Sequence, residues 1–297
     1  GTNSYVWARW GNSSETNAPA CTTNGATWSQ NYAAVWHLHS TNSAGRFVDA
    51  TPYRFEGTNM GGISIVGKIA GAVDLPTTND AIEITGMTAA SKTYTFQYWL
   101  NTLTTSSDAR MMDINADTRL IMAMSSGGFR YYTVSSWQPT AGSGYNDGQW
   151  HHVAYAFYFD GISSNGSIYV DGLMITNGLF WRADDLQGRS LIGCYYSTLA
   201  NYNYNGYMDE INVSTAPRSS NWVWACFMNQ GSNGVFNTAG TVQSLVPMIS
   251  NAGGASNIVT NGTVNLNGYL ISTGGAPATV SVYWGTSDAG TNKAGWT

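Results

Sequence analysis

Charge is what this 297-residue chain has least of: 10% of its residues are charged, against about 25% in ordinary soluble proteins. Only three lysines occur, Lys68, Lys92 and Lys293, and the net charge is −5. A partner rich in phosphates calls for a basic face, so nucleic-acid binding is excluded. No apolar run approaches the ~20 residues that a membrane-spanning helix needs. Cysteine is scarce and odd in number, with Cys21, Cys194 and Cys226. At most one internal disulfide can form, and the sequence does not choose among the three pairings. There is no starting Met and no leader; if the protein is secreted, its leader lies upstream or has been removed. Gly-x-Ser-x-Gly, His-Glu-x-x-His and phosphate-cradling glycine loops are all missing.

What is abundant is aromatic and turn-forming: 12 Trp, 18 Tyr and 34 Gly. Such a chain folds through many short strands joined by Gly, Asn and Ser turns. Its charge-poor surface, rich in Asn, Thr, Ser and Gly, reads as extracellular. Strand candidates are 4–12, 32–40, 81–85, 94–102, 110–114, 119–124 and 129–134. In 94–102 one face carries Tyr94, Phe96, Tyr98 and Leu100, and the other Thr95, Gln97, Trp99 and Asn101. Residues 150–159 and 167–171 form a hairpin signal, broken at Asp160-Gly161 and Asp171-Gly172. His151 and His152 fall inside it. Adjacent residues on a strand point to opposite faces, so the two histidines diverge and do not share an ion. Further strands follow at 173–176, 190–196 and 206–214, whereas 41–62 reads as loop. The one helix candidate is 219–230, with Ser and Asn at its start and Gly231 after its end. So many strands with one short helix predict an all-β, two-sheet antiparallel sandwich. Residues 231–256 read as a linker, and 257–297 contain two alternating strands around a Gly-Gly-Ala-Pro turn.

"YTFQYWLNT", "DGQWHHVAYAF…GSIYVDG", "SLIGCYY" and "NGYMDEINVSTAPRS" occur in that order. Together they resemble the laminin-G-like branch of the concanavalin-A-like lectin/glucanase superfamily, as found in large bacterial surface proteins. The resemblance covers residues 32–230 and implies a jelly-roll sandwich. Residues 1–31 look like the tail of a preceding β module, and 257–297 are similar to the first half of a fibronectin-III-like repeat.

The resemblance also implies one structural calcium ion, held by Asp49 and Asp209. The family frequently has a glutamate where this chain has Ser40, which removes one ligand. The alternative for both aspartates is turn fixation through backbone hydrogen bonds. The superfamily includes glycoside hydrolases, which need two carboxylates on one face. No Glu-x-Asp-x-(x)-Glu spacing exists here, so the chain reads as not an enzyme. Sugar rings stack on exposed aromatics while polar side chains read their hydroxyls. The candidates for that role are Trp137, Trp181, Arg182, Asp184, Asp185, Tyr195, Tyr196, Tyr202 and Tyr204.

Three functions compete. The first is a carbohydrate-binding or adhesive module of a secreted or cell-surface protein, with a polysaccharide or glycan as partner. The second is a subunit of an extracellular filament or surface layer, its half-modules completed by copies of itself through β-strand addition at 263–270 or 278–284. A glycoside hydrolase comes third.

Overall fold

The structure is a computed structural model. It describes residues 8, 14, 16–28, 30–114, 120–133, 136–182, 185–195, 201–240, 246–251, 253–256, 262–274, 277–285, 287 and 289–296. The expected strand at 4–12 lies outside the described residues except for Ala8 and carries no further statement. Two compact units are present, Gly1–Asn237 and Thr238–Thr297.

The first unit is a β-sandwich of sixteen strands. In chain order they are β1 (Tyr32–Thr41), β2 (Arg46–Asp49), β3 (Gly57–Met60), β4 (Ile63–Val66), β5 (Gly71–Leu75) and β6 (Ala81–Ile84). Then come β7 (Tyr94–Asn101), β8 (Ala109–Ile114), β9 (Leu120–Ser125), β10 (Gly128–Thr133) and β11 (Ser136–Trp137). The last five are β12 (His151–Phe159), β13 (Ser164–Val170), β14 (Leu173–Leu179), β15 (Ser190–Ile192) and β16 (Gly206–Ser214). All strand pairings among them are antiparallel, in the order β11-β10-β9-β8-β15-β6-β3-β2-β1-β16-β7-β12-β13-β14, with β4 and β5 attached beside β16.

That ladder folds over itself into two layers. Its corner is the β1–β2 pairing, whose register is irregular between Trp36 and Thr41. Beyond the corner, Tyr131 of β10 meets Phe157 and Tyr155 of β12 edge-on, at ring distances of 5.0 and 6.4 Å. A side chain on Gly166 of β13 would run into the Tyr131 hydroxyl, so only glycine lets the layers close there. The front layer is β2, β3, β6, β15, β8, β9, β10 and β11; the back layer is β1, β5, β16, β7, β12, β13 and β14. Between them lies one core containing Tyr94, Phe96, Tyr98 and Leu100 of β7, facing Met122, Met124, Phe129 and Tyr131. The period-two reading of 94–102 is therefore the observed one.

The β13–β14 turn shows how local chemistry sets register. Val170 pairs with Leu173, and the two residues between, Asp171 and Gly172, have φ of +50° and +78°. Both central residues of a tight hairpin turn of the primed kind need positive φ, which Asp-Gly supplies.

The expected helix is α1 (Ser220–Gly231), and the Ser219 hydroxyl caps it by accepting the Trp222 N–H at 3.3 Å. A short α2 (Asn233–Phe236) follows. Helix α1 lies on the outer face of the back layer. Val223 packs with Ala154, Ala156 and Tyr169, and Phe227 stacks on Trp99 at 5.9 Å. The Trp99 indole donates to the Gln230 side chain at 2.8 Å. Both faces of β7 are covered as a result, by the core on one side and by the helix on the other.

Two features differ from the sequence reading, and a third, the cysteine pairing, is one that the reading left open. Residues 41–62 are not only loop, since β2 and β3 lie within them, and β4 and β5 are additional strands. The three cysteines are all free. In the second unit, β17 (Met248–Ser250) pairs β20 (Tyr269–Ser272) and β18 (Ala255–Ser256) pairs β19 (Asn265–Leu266), while 278–284 forms no strand. This unit leaves Ile249, Leu266, Tyr269, Ile271, Val282 and Trp284 exposed.

Candidate functional site

Among the described residues no helix covers the outer face of the front layer, and its side chains follow from register. Directly opposed residues share a face. The pairs Glu83↔Leu191, Leu191↔Asp113, Asp113↔Ile121, Ile121↔Tyr132 and Tyr132↔Trp137 therefore form one row across five neighbouring strand pairings. In a second row the small Ala123 separates Arg110 from Arg130.

Arg110 anchors this face. Its Nη1 donates to Asp113 Oδ2 at 3.0 Å, and its Nη2 to Asp108 Oδ2 at 3.1 Å. The guanidinium carbon lies 4.3 Å from the Tyr195 ring and 4.2 Å from the Tyr202 ring, and those rings meet edge-on at 5.5 Å. The Arg110 N–H also donates to the Tyr202 carbonyl at 2.9 Å, which ties the Tyr202 loop to β8. The Arg130 guanidinium carbon lies 4.0 Å from the Trp137 ring centroid, and Arg130 donates to the Ser107 carbonyl at 2.6 Å. Tyr132 meets Trp137 edge-on at 5.4 Å. The outcome is a cluster of guanidinium and aromatic groups, with Arg110, Arg130 and Trp137 on strands and Tyr195 and Tyr202 on the loop between β15 and β16. Tyr202 projects from it, 46% exposed, on a backbone with φ of +60°. That conformation is uncommon for a bulky residue, and such outliers cluster at ligand-binding positions. Beneath the cluster is the buried Cys194, whose thiol is pushed up to about 12, first by burial and then by the Asp113 charge.

Trp137, Tyr195 and Tyr202 are thus brought together. Trp181 and Tyr204 are not, and both correct the expectation of exposed loop rings. Trp181 is 2% exposed, stacks on Phe157 at 4.5 Å and donates its indole N–H to the Lys92 carbonyl at 3.1 Å. Tyr204 is fully buried, with its hydroxyl 3.2 and 3.1 Å from the Asn101 and Tyr207 carbonyls. An aromatic whose polar handle finds a backbone acceptor is free to bury its ring. Arg182 is exposed and Asp185 half-buried, but burial of Trp181 removes the ring they were to accompany. Asp184 and Tyr196 lie outside the described residues. Arg110, Arg130, Asp108 and Asp113 were missed from sequence.

Asp49 and Asp209 do different things. The Asp49 carboxylate is buried and accepts four hydrogen bonds, from the Val35, Thr51 and Phe55 N–H groups and the Thr51 hydroxyl, at 2.8–2.9 Å. All its lone pairs are engaged by donors, so a cation does not fit there without displacing them. Asp209 accepts the Ile69 N–H at 2.8 Å through Oδ2, while its buried Oδ1 has no partner. Burial raises its carboxyl to about 7. Among the described residues no group of three or more His, Cys, Asp and Glu is placed to hold a metal. Glu210, next in sequence, instead accepts from His37 Nδ1 at 2.9 Å.

The histidine pair diverges as expected. His151 sits between Asp171 (Nδ1 to Oδ2, 2.8 Å) and Asp147 (Nε2 to Oδ1, 3.1 Å), and the Asp171 hydrogen bond raises its pKa. His152 lies under α1, 5.3 Å from the Trp99 ring, and burial lowers it to about 4.

Comparison with known proteins agrees on the fold. No curated protein sequence matches the chain. Among solved structures it is similar to domain 4 of AbnA, a GH43 extracellular arabinanase from Geobacillus stearothermophilus, in complex with arabinotriose. The TM-score is 0.53 at 16% identity, covering 66% of this chain and 98% of that one. It is also similar to the botulinum neurotoxin serotype D binding domain, with a TM-score of 0.52 at 12% identity over 67% of this chain and 52% of that one. A Trypanosoma rangeli sialidase in complex with 2,3-difluorosialic acid matches with a TM-score of 0.51 at 14% identity, over 67% of this chain and 33% of that one. A laminin-G-like family model matches residues 76–223, from just before β6 into α1. Over those residues the sandwich matches the model of the concanavalin A-like lectin/glucanases superfamily.

Proposed function

We propose that the chain is a non-catalytic carbohydrate-binding module that docks a glycan on the outer face of the front layer. The observation that carries this is the cluster of Trp137, Tyr195 and Tyr202 around Arg110 and Arg130, on a face that no helix covers among the described residues. Rings offer stacking surface to sugar C–H groups, and the half-buried Arg130 guanidinium and tyrosine hydroxyl groups donate to sugar oxygens, while Arg110 holds the rings from beneath. The AbnA domain crystallised with arabinotriose supports a saccharide ligand for this fold. Non-catalysis is supported by the state of the acids there. Asp108 and Asp113 both bind Arg110, which engages the carboxylates that a glycoside hydrolase would need to aim at the scissile bond as a pair. An extracellular site of action belongs to the same proposal.

A glycan array followed by calorimetry tests it. Trp137→Ala and Tyr202→Ala each weaken the selected glycan about tenfold or more while thermal unfolding stays nearly unchanged. Unaltered affinity in both rejects the assignment.

Calcium is a narrower proposal, resting on the unpartnered Oδ1 of Asp209 alone. Millimolar calcium then raises the melting temperature and Asp209→Asn abolishes the rise; no shift with calcium or chelator rejects it. The assembly reading rests on the exposed apolar residues of the second unit. Concentration-dependent sedimentation tests it, and a monomer at all concentrations ends it.

A further inference from the structure

We infer a second saccharide site, separate from the aromatic cluster, in a cavity at the end of the back layer where β1 begins and β16 ends. The cavity measures about 560 Å³, inside the roughly 300–1,000 Å³ range of small-molecule sites. Tyr32, Tyr53, Thr88, Ser91 and Thr215, all hydroxyl-bearing, line it, and the small Ala89 and Ala90 leave the space open; the Ser91 hydroxyl is itself tied to the Thr93 and Thr215 carbonyls at 2.9 Å. Among the described residues no charged side chain lines it. It shares no residue with the Trp137 face.

Its walls are fixed before any ligand arrives. The Asp49 carboxylate binds the Thr51 and Phe55 N–H groups, and Arg54 donates to the Asp49 carbonyl at 2.9 Å, which ties off the loop that carries Tyr53. The Tyr53 ring lies parallel to Phe55 at 6.0 Å, with 9° between planes, and is still 59% exposed. On the opposite wall the Tyr94 hydroxyl accepts from the Ser91 and Lys92 N–H groups at 3.1 and 3.2 Å, fixing the 88–92 loop from behind. Tyr32 is held edge-on by Trp28 at 5.1 Å, with the Arg218 guanidinium 5.0 Å from its ring. A large aromatic kept exposed on a tied loop, beside hydroxyls and without charge, fits a ligand with an apolar ring face and neutral oxygens. A short neutral saccharide has that chemistry. An anionic sugar would find no cation among the lining groups to offset the loss of its hydration. Asp49, fully engaged by its own loop, acts here as a positioning residue for Tyr53.

The inference rests on the saccharide reading for its ligand class but places a different site. The test is calorimetric stoichiometry on the full chain with arabinotriose, cellotriose and maltotriose, together with thermal unfolding. The wild type binds two equivalents of at least one of them. Tyr53→Ala, and Ala90→Trp that fills the cavity, each reduce this to one with little change in melting temperature, because both positions are exposed. Trp137→Ala also leaves one, the other one. A wild-type stoichiometry of one that survives both Tyr53→Ala and Ala90→Trp overturns the cavity site and leaves the Trp137 face standing. A stoichiometry that falls with Tyr53→Ala but not with Trp137→Ala upholds the cavity and overturns the outer-face reading. A wild type that binds none of the three sugars overturns the cavity site.

Discussion

The two outer faces of the sandwich solve the same problem in opposite ways. Each layer has a strand surface pointing away from the shared core. On the back layer α1 covers that surface, its Val223 packed on Ala154, and Trp99 and His152 are buried beneath it. On the front layer no helix arrives among the described residues, and the buried Arg110 supports a surface of Arg130, Trp137, Tyr195 and Tyr202 packed on one another. A covered face hides its rings for stability, whereas an uncovered one keeps them wet at their edges and available. The adjacent histidines repeat the contrast over one peptide bond. His152 points under the helix and is held neutral, while His151 points to the rim and takes two carboxylate partners.

The contrast breaks most sharply at Trp99. Trp99→Ala removes the ring that joins β7 to α1 and costs about 3–5 kcal/mol in chemical denaturation, typical of a buried Trp. Glycan affinity of the folded fraction stays unchanged. A loss below ~1 kcal/mol would mean that α1 is not what buries this face.

Arg110→Met is next, at about 3 kcal/mol, because it leaves the buried Asp113 uncompensated. The double variant Arg110→Met, Asp113→Leu recovers most of the stability but not glycan affinity, so a double-mutant cycle separates the scaffold from the surface it offers.

Acid sharpens the histidine pair. His152 has a folded pKa of about 4, below its unfolded value, so the unfolded chain binds the proton more tightly. Stability is therefore lost as pH falls from ~6.5 towards 4, by an amount on the order of 3 kcal/mol. His152→Phe flattens that limb of a pH–stability curve. His151 has the opposite sign. Its folded pKa is raised, so its contribution is complete below ~6.5 and disappears as pH rises through the folded value. His151→Gln removes that smaller decline, which is below ~1 kcal/mol because the pair is partly exposed.

Much of this was legible in the chain. Alternation identified β7 and its two faces, and Asp171-Gly172 identified the β13–β14 turn. The strands β2 to β5 escaped because they are short and interrupted by glycine; "ISIV" and "GAVDL" are too brief to establish a period against Gly61, Gly62, Gly67 and Gly71. Trp137, Tyr195 and Tyr202 were found as loop aromatics near turns. Trp181 and Tyr204 were misplaced because sequence does not reveal which backbone carbonyl waits for an indole or phenol. Arg110 and Arg130 were hidden inside segments read for their apolar content, "RMMDI" and "FRYYTV". The signal was present: in a chain this poor in charge, an arginine within a strand is informative by itself.

The position of β16 has a consequence for biosynthesis. It lies between β1 and β7 in the back layer, yet it is the last strand of the sandwich to be made. Until residues 206–214 leave the ribosome, two apolar strands more than fifty residues apart in sequence keep open edges, and unpaired edges recruit other chains. Truncation before Gly206 therefore yields an aggregating nascent product rather than a smaller sandwich.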